Sequence, residues 1–125
     1  MSVWTHVAGA IRVDCLRCLG KKPDFNKIFV SELWNENKFG ACNMPRGTEG
    51  SLDFRVIENP DKDSIAAYTV VIFGDLRDFG AEDIYVIEDW WNEVLEQCGI
   101  IRQAVLQIQP EVGDVKYWNK RINNG

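Results

Sequence analysis

From Val3 to Asp14 the chain alternates with period two, Val3, Thr5, Val7, Gly9, Ile11 and Val13 interleaving with Trp4, His6, Ala8, Ala10, Arg12 and Asp14. Successive side chains of a strand point to opposite faces, so a pattern of this length fixes which set meets a core and which meets water. The odd set is the more apolar, and the segment reads as a half-buried strand whose other face carries Trp4, His6 and Arg12.

Further strands follow. Ser51 to Glu58 alternates, with Leu52, Phe54 and Val56 on one side and Asp53 and Arg55 on the other. Asn59-Pro60-Asp61-Lys62-Asp63 then supplies the fixed φ of proline and the turn-forming Asn and Asp of a hairpin reversal. Ala66 to Phe73, rich in β-branched and aromatic residues, reads as a central strand ending at Gly74-Asp75. Gly80-Ala81-Glu82-Asp83 opens a helix with acids where they complement its dipole. Ile84, Ile87, Trp91, Leu95 and Cys98 form its apolar stripe beside Val94, and Gly99 stands where a left-handed cap is wanted. Ile100 to Gln109 is the last strand, stopped by Pro110. Between Cys15 and Ser51 the signal is weaker. Phe25, Ile28, Phe29 and Leu33 suit a short helix opened by Asp24, and Phe39 to Ser51 reads as an irregular, mobile loop.

The order strand, helix, strand, strand, helix, strand predicts an α+β, ferredoxin-like split β-α-β sandwich: a four-stranded antiparallel sheet over residues 1–110 with helices on one face. The open face would show Trp4, His6, Arg12, Asp53, Arg55, Gln103 and Gln107. Residues 111–125, with Val115, Tyr117, Trp118 and Ile122, are expected as a C-terminal extension whose short helix packs across that face.

Charge narrows the function. The 125 residues hold 19 Asp+Glu against 14 Lys+Arg, a net charge of −5, and no basic run exceeds Lys21-Lys22. Direct nucleic-acid binding, which draws its affinity from cations on phosphates, is not expected. No apolar run is long enough for a membrane span, and Met1 to His6 lacks a signal-peptide layout, so a cytoplasmic protein without membrane contact is expected.

No catalytic constellation stands out. Cys15 and Cys18 form one C-x-x-C, with Cys42 and Cys98 elsewhere. A zinc site needs four converging ligands, and one pair with scattered thiols, even with His6, is read as ordinary reduced cysteine: no metal and no cofactor are expected. His6 is the single histidine, and no nucleophile at recognisable spacing accompanies it. Gly74-Asp75-Leu76-Arg77-Asp78-Phe79-Gly80 reads as a strand-to-helix loop where backbone amides and Arg77 could hold an anion, or where Arg77 pairs with a flanking aspartate. Met44 to Ser51 is glycine-rich but lacks the lysine pattern of a phosphate loop. Glu82, Asp83, Glu88, Asp89, Glu93 and Glu96 make an acidic helix face, solvated by default but able to imitate nucleic-acid charge toward a basic protein. Trp90 beside Trp91 is read either as a partly exposed interface anchor or, equally, as a side chain tucked under the tail with Trp118.

The stretches Trp4-Thr5-His6-Val7, Gly47 to Leu52, Ala66 to Phe79 and Arg102-Gln103-Ala104-Val105 resemble those of small uncharacterised bacteriophage and prophage accessory proteins. The resemblance carries over no catalytic residue. It implies a non-enzymatic protein that binds and inhibits a host factor, with an antiviral, CRISPR-type defence nuclease as the candidate. The partner-binding residues would be Glu88, Asp89, Trp90 and Glu93. The alternative is a module that sequesters a small ligand or signalling nucleotide through Trp4, His6, Arg12, Arg55 and Arg77. A homodimer through a sheet edge or the open face is compatible with either.

Overall fold

The computed structural model describes residues 3–17, 22–29 and 44–121, without the side chains of residues 120 and 121. Its elements are β1 (Trp4–Asp14), α1 (Phe25–Phe29), β2 (Asp53–Glu58), β3 (Ala66–Arg77), α2 (Ile84–Gln97, entered through a 3-10 turn at Ala81–Asp83), β4 (Ile100–Pro110) and β5 (Lys116–Arg121). They build an α+β fold on one five-stranded antiparallel sheet of order β2-β3-β1-β4-β5.

β1 lies at the centre. Its Gly9 pairs with Ile72 of β3 on one edge and Leu106 of β4 on the other, so both rows of backbone groups are satisfied along its length. Thr5, Val7, Ile11 and Val13 are buried, as the alternation requires. Ala104, Leu106 and Ile108 from β4 and Ala67, Val70, Ile72 and Leu76 from β3 join them on the same side. Both helices cover this face, α1 through Phe25, Ile28 and Phe29 and α2 through its apolar stripe. Gly99, at φ 86°, turns the chain from α2 into β4, a backbone state glycine reaches without steric cost.

Three expectations are corrected. The tail is not a helix across the open face: Lys116–Arg121 pairs with β4 as a fifth strand, Trp118 beside Leu106 and against the core. β4 would otherwise leave an edge of unpaired amides, which a strand covers and a helix does not. β3 does not end at Gly74-Asp75 but runs to Arg77, and the turn falls at Asp78, where φ is 56°. Trp90 is not exposed. It is fully buried beside Trp91, edge-on to Phe29 at 5.8 Å, its indole N–H donating to the Phe29 carbonyl at 3.3 Å. Adjacent helical positions lie about 100° apart, so both tryptophans can be buried when a helix has two walls: the sheet takes Trp91 and α1 takes Trp90.

Phe29 links these layers, since it also stacks on Phe54 of β2 at 4.7 Å. Truncation at this junction leaves a void that three elements must share. Trp90→Ala is expected to cost roughly 3–5 kcal/mol of folding stability, read as a lower urea midpoint with an unchanged denaturant slope.

Candidate functional site

The five residues expected to hold a small ligand share the open sheet face but do not converge. Trp4 pairs in register with Arg77 at one end of β1, and Arg12 lies eight positions along the strand, roughly 26 Å away at about 3.3 Å per residue. Their polar atoms are also engaged internally. Arg77 donates to Glu49 at 2.5 Å, with Asp78 at 3.9 Å, so its main partner is neither of the flanking aspartates. Arg55 pairs with Asp53 at 3.2 Å and lies over the Phe73 ring at 5.7 Å. Arg12 donates to the Thr69 hydroxyl at 2.8 Å and, among the described residues, meets no carboxylate.

His6 has the most developed surroundings. Its Nδ1 is 2.6 Å from an Asp75 carboxylate oxygen and its Nε2 is 3.1 Å from Glu111. The register places His6 opposite Asp75 across the β1–β3 ladder. Glu111 is fastened from the other side, its second oxygen accepting the Trp4 N–H at 3.0 Å and its own N–H donating to the Trp4 carbonyl at 2.9 Å. A neutral imidazole has one N–H and one lone pair, so with a carboxylate at each nitrogen one lone pair would always face an anion. The hydrogen bond to Asp75, and after it that to Glu111, therefore raises the His6 pKa above its ordinary value. Glu111 is held below the usual carboxylate range by the Trp4 amide first and by His6 second. With both nitrogens donating, the ring has no lone pair left to accept a proton, and its role in this state is that of a clamp fixing the β4–β5 connection to β1 and β3.

Most of the expected anion loop is strand, and only residues 78–80 form a turn. Gly74 to Arg77 lies within β3, and the amides around the start of α2 are occupied: Asp83 N–H donates to the Gly80 carbonyl at 3.0 Å and Gly80 N–H to the Asp83 carboxylate at 3.4 Å. Residues 46–51 are likewise bound down. Thr48 N–H donates to the Arg77 carbonyl, Arg77 N–H to the Glu49 carbonyl, and Gly47 N–H to the Gly50 carbonyl. A Cβ at Gly47 would strike the Arg77 backbone, and one at Gly50 the Asp75 carbonyl. Glycine here serves close approach to β3, and these amides are committed to it rather than turned toward a phosphate.

Cys98 is buried among core side chains, which pushes its thiol up to about 12 and leaves it inert at neutral pH. With Cys15 it lines a shallow groove of about 520 Å³ that also presents Leu16 and Ile100. No cluster of three metal-ligating side chains occurs among the described residues, and Cys18 and Cys42 lie outside them. No helix among the described residues is long and apolar enough to cross a membrane.

The outward side of α2 presents Tyr85, Asp89 and Glu96 exposed and Glu88 and Glu93 half-buried, with Glu82 exposed in the turn before it. No basic residue occurs from Ala81 to Gln97, and among the described residues none of Glu82, Glu88, Asp89, Glu93 and Glu96 forms an ion pair. Trp90 does not belong to this surface, and the exposed aromatic there is Tyr85.

Two groups escaped sequence reasoning. Asp75 and Glu111 stand 69 and 105 positions from His6, so only the strand register joins them to it. Arg17 threads the β2–β3 turn, donating to the carbonyls of Asn59, Asp61 and Ser64 and pairing with Glu58 at 2.9 Å. Compared with protein-family models, curated proteins and solved structures, the chain gives no match.

The clamp has a defined pH signature. A histidine whose pKa is raised on folding stabilises the fold fully below its unfolded value near 6.5, and that contribution is lost as pH rises through the higher folded value. The side chains are half-exposed, so solvent screening keeps the effect small. The urea midpoint should drift downward as pH is raised from about 6 through the His6 titration, and His6→Gln should remove that drift. An imidazole resonance titrating below 6.5 would contradict the clamp.

Proposed function

We propose that this chain is a non-enzymatic, cytoplasmic accessory protein of phage type, built on a ferredoxin-like core, that binds and blocks a basic surface of a host protein. Support for the core comes from the order β2-β3-β1-β4, in which β1 lies between β3 and β4, antiparallel to both, with α2 joining β3 to β4. β5 is an addition at the β4 edge.

The observation that carries the binding reading is the outer face of α2. Asp89, Glu93 and Glu96 recur at intervals of four and three residues, about 4.5–6 Å along the axis, comparable with the roughly 3.4 Å between charges on one nucleic-acid strand. Among the described residues no cation pairs with these carboxylates, and Tyr85 stands exposed one turn before Asp89. A groove shaped for a phosphate backbone, such as that of a defence nuclease, has the complementary charge, and such complementarity raises association rates and selects partners. Glu88, Asp89 and Glu93 are the contact residues of this reading, with Tyr85 in the place first given to Trp90.

The test is inhibition of nucleic-acid cleavage by purified defence nucleases, with the protein titrated against each enzyme. Wild-type protein should inhibit its target at near-stoichiometric amounts and lose that effect as salt is raised. The triple reversal Glu88→Lys, Asp89→Lys, Glu93→Lys should abolish inhibition while leaving the unfolding midpoint within about 1 kcal/mol of wild type, as expected of surface positions. Inhibition that survives the triple reversal sinks the acidic-face reading.

A further inference from the structure

The sheet face opposite the helices is a five-stranded surface with an apolar middle. Its rows follow from the register. Across one row lie Arg55, Val71, Ala10, Val105 and Asn119, and across the next Asp53, Phe73, Ala8, Gln107 and Tyr117. Outside these come the Arg12 row, with Thr69 and Gln103, and on the other side the His6 row, with Asp75 and Gln109. Phe73 on β3 is 39% exposed and Val105 on β4 38%, high values for large apolar side chains on interior strands, and Tyr117 on the edge strand β5 is 67% exposed. Ala8 and Ala10 on the central strand are small beside Phe73 and Val105 on its neighbours.

We infer that this face binds a second copy of the chain, the two sheets packing face to face about a two-fold axis that crosses the strands between the Ala8 and Ala10 rows. Charge placement selects this axis. It exchanges the Arg12 row with the His6 row and the Ala10 row with the Ala8 row. Arg55 then faces Asp53 of the second copy, and Val71 faces Phe73. Arg12, which leans toward β3 through its bond to Thr69, faces Asp75 at the cluster of Asp75, His6 and Glu111, whose net charge with a protonated ring is −1. Each contact occurs twice by symmetry. A two-fold axis along the strands would instead stack Arg12 on Arg12 and His6 on His6, since β1 is the middle strand.

The area is also that of a stable association. Five strands at about 4.8 Å and about nine residues at 3.3 Å give roughly 700 Å² for each copy, close to the approximately 800 Å² per partner of standard specific interfaces. Phe73 and Val105 would leave water, and Arg12, which meets no carboxylate among the described residues, would gain one. α2 lies on the other side of the sheet, so the dimer would present two acidic helix faces outward.

Sedimentation equilibrium of the purified chain over the micromolar range tests this. The wild type should approach twice 14.3 kDa. Arg12→Asp and Asp75→Arg, each alone, place like charges together and should weaken the dimer about tenfold or more, and Val105→Glu should do the same without touching the His6 clamp. Mixing the Arg12→Asp and Asp75→Arg proteins restores opposite charges at both contacts and should restore the dimer, which no misfolded variant would do. A monomeric wild type, a dimer indifferent to these substitutions, or a mixture that stays monomeric overturns the assignment.

Discussion

Every layer of this molecule is hung on the two-sided pairing of β1. A strand bonded on both edges has no freedom to slip, because a shift of one residue would carry Val7, Ile11 and Val13 into solvent and Trp4, His6 and Arg12 into the core. Once β1 is fixed, β3 and β4 inherit its phase, and the helices have only one apolar face on which to settle. The polar face inherits its order in the same way: His6 meets Asp75 because Val7 meets Gly74.

What could be read before the structure was whatever a short stretch decides by itself. The alternation of Val3 to Asp14, the stripe from Ile84 to Cys98 and the glycine at 99 each specify their element without distant help. The errors lie where a distant partner decides. Lys116 to Arg121 has few marks of a strand beyond Tyr117 and Trp118, and it becomes one because β4 offers an open edge. Gly74 and Asp75 look like the end of a strand, yet residues 46–51 lie against that stretch and hold it extended. Trp90 looked like a surface anchor because one helix face cannot hold two tryptophans, and Phe29 of α1 supplied the second wall. The apolar run of β3 reads as a central strand and is one, paired on both edges, with Val71 and Phe73 on the face without helices.

The candidate surfaces divide in the same manner. The acidic side of α2 was visible as composition along one helix, from Glu82 to Glu96. The His6 clamp needed three segments, brought to one place only by the strand register. Charge is thus sorted by face: acidic along the outer side of α2, mixed and ordered by row on the sheet side.

The place of β1 also sets when the molecule can become itself during synthesis. Its partners come far later in the chain, Leu76 for Thr5 on one edge and Pro110 on the other. While a ribosome is still adding β2, β3 and α2, the strand that will become the middle of the sheet waits with an unpaired apolar face. Structures dominated by such distant pairings fold slowly, and exposed strands in waiting invite wrong partners. The cell that makes this protein must therefore carry the nascent chain almost to β5 before its centre closes, which makes the interval of translation, rather than the finished fold, its most vulnerable state.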